Sequence, residues 1–142
     1  MKKASLIFFV FIFMLAGCSG KDKIKPSEDS VLTMNTLRVV EAIKKAYETK
    51  DNITLQQNID TVLYDEVSKE LIFDKAELIF STPRMVRIGK SDIKVLQNWQ
   101  CEWMIGTRIV KDRGVGTLVF DKESLKLVKA DGDSPFSLPL MK

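Results

Sequence analysis

The chain has 142 residues with a formal net charge of +3 and no histidine. The missing histidine excludes imidazole acid/base catalysis and histidine metal sites. The mild charge, which falls to +1 once Lys2 and Lys3 are removed, excludes the strongly basic face that nucleic acid favours.

Met1-Lys2-Lys3 is a basic start, and Ala4 to Leu15 follows without a charge. That run is too short to span a bilayer, which takes about 20 apolar residues. Its flank and small-residue end fit a secretory signal over residues 1–17. The remaining chain is long enough for one modest domain and too short for two.

The signal ends in Leu15-Ala16-Gly17-Cys18, which resembles the lipobox of a bacterial lipoprotein. The resemblance implies cleavage between Gly17 and Cys18, with a diacylglycerol on the Cys18 thiol. Small neighbours open the bond to a peptidase. Two or three acyl chains at about 0.8 kcal/mol per buried CH₂ make a stable membrane anchor. Ser19 follows, where Asp commonly retains lipoproteins in the inner membrane of two-membrane bacteria. The expected address is the periplasmic face of the outer membrane, or the outer face of the cell membrane in a single-membrane host. Cys101 is then the one thiol left, too few for an internal disulfide, and its apolar neighbours suit an inert buried group.

Residues 18–30 are polar and read as a lipidated, flexible tether. A domain is expected over 31–136, with a short tail over 137–142. From Val31 to Lys50 the period is helical, with Leu32, Thr36, Val39, Val40, Ile43, Ala46 and Tyr47 on one stripe. Thr54-Leu55-Gln56-Gln57 matches a capping box and predicts a second helix to Ser68.

After Lys69 the period becomes two. Ile72, Ala76, Leu78 and Phe80 mark a strand that Pro83 ends. Val86 and Ile88 mark a short one, and Gly89 to Asp92 a turn. The clearest alternation sets Ile93, Val95, Trp99, Cys101 and Trp103 against Lys94, Asn98, Gln100 and Glu102. A hairpin near Gly106 leads into a long strand, Thr107 to Phe120, where Gly114 and Gly116 read as bulges or bends. Leu125 to Ala130 is the last strand. Asp131-Gly132-Asp133 reads as a strand-ending turn, since it lacks the other positions of a calcium loop.

Helices followed by antiparallel strands give an α+β class, with N-terminal helices packed on a strongly curved antiparallel sheet. The chain resembles the nuclear-transport-factor-2-like (NTF2-like, SnoaL-like, cystatin-like cone) superfamily. The resemblance rests on the helix Leu37 to Tyr47, the strand around Trp99, Arg113-Gly114-Val115-Gly116-Thr117-Leu118-Val119-Phe120, and the ending Leu127 to Phe136. It implies an interior that enzymes of the superfamily furnish with an Asp, often beside His or Tyr, and a sheet through which members often dimerise.

Without histidine, the dehydratase-type His/Asp pairing cannot be carried over. Asp60, Asp65, Asp74, Glu77 and Glu102 lie nearest the apolar pattern, and Asp74 shares a strand face with Ile72 and Ala76. No residue is assigned as catalytic, and no cofactor or metal is expected. Tyr47, Gln97, Trp99 and Trp103 could line a pocket, although aromatic residues at period two also suit plain core. Gln97 interrupts the Trp99 face and, if buried, needs a hydrogen bond. The expected role is a membrane-anchored envelope lipoprotein, a non-enzymatic binding domain for a partner protein or small apolar ligand. The alternatives are a cone-fold hydrolyase or isomerase acting on an apolar small molecule, and a structural subunit of an envelope assembly.

Overall fold

The computed structural model describes residues 24–139. Helix α1 spans Glu28–Thr49. Ser27 caps it, its hydroxyl accepting from the Ser30 amide at 3.2 Å. Glu28 and Asp29 place negative charge at the positive end of the helix. Residues 28–30, expected in the tether, are therefore its first turn. Lys50 ends the helix in the left-handed region at φ 54°, its amide donating to Ala46 and Tyr47 carbonyls.

The single helix expected from Thr54 to Ser68 is two, α2 (Asn52–Asn58) and α3 (Thr61–Lys69). Asp51, not Thr54, caps α2. Its carboxylate accepts from the Thr54 amide at 3.1 Å and the Thr54 hydroxyl at 2.6 Å. The break is at Ile59, which is extended and bridges Leu127. Asp60 donates its amide to the Leu127 carbonyl at 2.8 Å, then caps α3 through its carboxylate. A long-range backbone pairing thus interrupts a locally helical pattern.

Strands β1 (Lys75–Phe80), β2 (Met85–Ile88), β3 (Asp92–Ile105), β4 (Arg108–Asp121) and β5 (Leu127–Gly132) form one antiparallel sheet. Its order is β1-β3-β4-β5, with β2 also on β3. β2 pairs near the start of β3 (Val86 with Val95), and β1 near its end (Ala76 with Trp103). The β3–β4 register runs without a slip from Asp92/Asp121 to Ile105/Arg108. Gly114 and Gly116 are therefore not bulges. The register shift lies between β4 and β5, at Val119/Phe120.

The three helices cover one face of this α+β sheet. Ile93, Val95, Gln97, Trp99, Cys101 and Trp103 all point into that side and are buried, as the alternation predicts. Val40, Ile43, Ala46 and Tyr47 of α1 complete the core. Ile72, expected on the inner face, is exposed. Helix α1 packs on β2 and β1, the two strands that share one side of β3. Its first turns lie beside β2, and its last turn reaches β1, where Glu48 accepts from the Leu78 amide at 2.7 Å. The core also extends past residue 136. Phe136 and Leu138 are both buried, and the Leu138 amide donates to Glu70 at 3.0 Å.

Candidate functional site

The inner side of the sheet is filled by rings. Tyr47 and Trp103 are fully buried, and the Trp103 indole N–H donates to the Tyr47 hydroxyl at 2.9 Å. The Tyr47 ring meets Phe73 at 5.2 Å and Phe136 at 5.3 Å between centroids. Tilted and edge-on pairs of this kind add to plain area burial. Burial raises the Tyr47 hydroxyl well above the ordinary tyrosine range. It also pushes the Cys101 thiol up to about 12, helped by the nearby Glu48 carboxylate. Both groups stay neutral at neutral pH, so Cys101 is a poor nucleophile.

Trp99 is buried beside the point where the chain returns after β5. Its indole N–H donates to the Asp133 carbonyl at 2.8 Å. Gly114 and Gly116 stand opposite Trp99 and Gln97. A Cβ on Gly116 would sit 2.6 Å from the Asp133 carbonyl oxygen, and one on Gly114 would sit 2.5 Å from the Asp133 Cβ. These glycines admit the crossing backbone. Gly132, at φ 80°, turns the chain, and the Asp133 carboxylate accepts from the Val115 amide at 3.2 Å. The Asp131-Gly132-Asp133 segment thus closes the fold.

Of the four residues read as a possible pocket, Tyr47 and Trp103 are joined in the core and fully buried. Trp99 borders a surface hollow. Gln97 is 2 % exposed, and its Nε2 has no partner among the described residues. Thr36, also buried, bonds the Leu32 carbonyl at 2.8 Å.

The carboxylates singled out by pattern lie elsewhere. Asp74 does not point inward. It is exposed, and its carboxylate accepts from the Gly106 amide, tying β1 to the β3–β4 hairpin. Asp60 is a helix cap, and Asp65 is exposed. Glu77 and Glu102 are paired on the opposite face of the sheet. Among the described residues, no cluster of three or more His, Cys, Asp or Glu could hold a metal ion. Gly17 and Cys18 lie outside the described residues.

The open space is on the outer face of the sheet. Two adjoining hollows of about 530 and 560 Å³ cross β1, β3 and β4 and share Ile79, Gln100 and Arg113. The register sets Ile79, Gln100 and Arg113 in one row and Glu77, Glu102 and Lys111 in the next. Lys111 pairs with Glu102 at 2.7 Å, both half or more exposed or nearly so, where such a pair is worth about 0–1 kcal/mol. Ile79 is 45 % exposed and stands among these polar groups. Asn98 borders the second hollow, with a buried Oδ1 that no described residue partners. Sequence reading places Gln100 and Glu102 on this face by alternation. Nothing in the pattern marks Ile79 or Arg113 as their neighbours, because that requires the register of three strands.

The fold is NTF2-like. The structure is similar to that of a "Nuclear transport factor 2 (NTF2-like) superfamily protein" from Salmonella enterica subsp. enterica serovar Typhimurium str. LT2, with a TM-score of 0.62 and 9% identity. The match covers 75% of this chain and 94% of that one. No protein-family model matches the sequence, and no curated protein matches it. At this identity the likeness concerns the fold alone, and the NTF2-like fold carries both binding domains and enzymes.

Proposed function

We propose that this chain is an envelope lipoprotein, anchored through Cys18, whose NTF2-like domain is a non-enzymatic binding module. Its binding surface is the outer face of the sheet, around Ile79, Gln100 and Arg113. Its occupant is a partner protein or a small apolar ligand. A second copy meeting sheet to sheet is one such partner. The Ser19 position supports delivery to the periplasmic face of the outer membrane.

The observation that carries this reading is the bond between Trp103 and Tyr47. It supports the reading of the interior as core, with the outer hollows and their mixed apolar and polar lining as the binding surface. A cone-type enzyme needs a titratable group reached by substrate inside; among the described residues the titratable groups buried there are Tyr47 and Cys101, and burial keeps both protonated at neutral pH.

The test is capture from detergent-solubilised membranes after cross-linking the lipidated protein. Ile79→Glu and Arg113→Glu should each lose the captured species while keeping the parent melting temperature. Retention of the same species by both variants would refute the assignment of this face.

A further inference from the structure

The end of the domain nearest the tether carries a second, different surface. The first turns of α1 and the edge strand β2 enclose a shallow hollow of about 720 Å³. Met34 and Met85 line it and are 49 % and 47 % exposed. Val31 is also exposed on α1, and Ile24, three residues before the Ser27 cap, is 92 % exposed. Arg84 and Arg87 flank Met85 and are exposed, as is Lys25. Flexible methionines with flanking arginines suit a surface that is apolar at its centre and cationic on its β2 side, with Glu28 and Asp29 on the α1 side.

We propose that this end of the domain docks on the phospholipid bilayer that holds the Cys18 anchor, with Met34 and Met85 at the acyl boundary and Arg84 and Arg87 on anionic headgroups. The inference rests on the Cys18 anchoring reading. Ser27 follows Cys18 by nine positions, which limits the tether to about 30 Å when fully extended. The chain enters the domain at the N-terminus of α1, so this is the end held nearest the membrane. The β3–β4 hairpin lies at the other end of β3, since β2 pairs at Ile93–Leu96 and the hairpin follows Ile105. Docking here presents the hairpin and the outer sheet hollows away from the lipid.

The test uses the full lipidated protein on phosphatidylethanolamine/phosphatidylglycerol vesicles. An environment-sensitive fluorophore is placed at Met34→Cys, Met85→Cys or Thr107→Cys. Cys101 is buried with its thiol pushed up to about 12, so it stays unlabelled. Flotation of the protein with the vesicles reports the anchor separately. In floated protein, the labels at 34 and 85 should shift to the blue and lose most of their emission to a lipid-borne quencher. The label at 107 should do neither. Arg84→Glu with Arg87→Glu, or ~1 M salt with its Debye length of ~3 Å, should relieve the quenching without abolishing flotation. Aqueous spectra at 34 and 85 in floated protein overturn the docking and leave the anchor intact. Protein that fails to float overturns the anchor, and the docking with it.

Discussion

Trp103 on β3 and Tyr47 on α1 hold each other by a 2.9 Å hydrogen bond in a fully closed setting. Each ring supplies the one polar partner that the other needs. Tyr47→Phe keeps the shape but orphans the buried indole N–H, at a cost of about 1–3 kcal/mol. Trp103→Phe orphans the hydroxyl in turn. The double variant should cost less than the sum of the singles. Strictly additive losses in urea melts would show that the bond contributes nothing.

The return of the chain over β4 depends on Gly116. A methyl group there meets the Asp133 backbone oxygen at 2.6 Å, an atom that cannot swing aside. Gly116→Ala should destabilise by roughly 1–3 kcal/mol, the usual range for overpacking. Trp99→Phe, which loses the indole bond to the same carbonyl, should weaken the same crossing. A Gly116→Ala melt equal to wild type would contradict the close approach.

Leu138 is a core residue despite its place near the end of the chain. Leu138→Ala should cost about 2–5 kcal/mol. A silent Leu138→Ala variant would contradict its packing.

Alkaline pH should weaken the fold through Cys101. Its folded thiol is raised to about 12 from an ordinary 9.0, so the native state holds its proton longer than the unfolded chain does. That stabilisation is complete below pH 9.0 and is lost as pH rises toward about 12. Tyr47 is shifted in the same direction from 10.0 and adds to the loss. Chemical melts across this range, compared with Cys101→Ala, should show a shallower decline in the variant. Equal slopes would remove Cys101 as a cause.

Most of the sheet could be read from the sequence because strand alternation is local. The inner row of β3, from Ile93 to Trp103, follows from side-chain period alone. The α1 stripe follows for the same reason. The features that escaped are set by distant partners. The break at Ile59 comes from its bridge to Leu127, and a helical pattern cannot reveal it. Gly114 and Gly116 mark a strand, but their purpose depends on where Asp133 returns. Leu138 has no periodic neighbours to signal burial. At the candidate site, Gln100 was legible as outward-facing, while its grouping with Ile79 and Arg113 needed two strand registers.

Anchoring is tested by replacing Cys18. Cys18→Ala should release the protein from membranes or leave its signal uncleaved, and palmitate labelling should vanish. Labelling that persists in this variant would remove the lipobox reading.

The most direct test of a packed interior is the urea melt of Trp103→Ala. As a fully buried core residue, Trp103 should cost roughly 3–5 kcal/mol when truncated, a large share of the ~5–15 kcal/mol typical of a domain. A variant with near-wild-type stability would contradict the account and return the inside of the cone to the role of an open pocket.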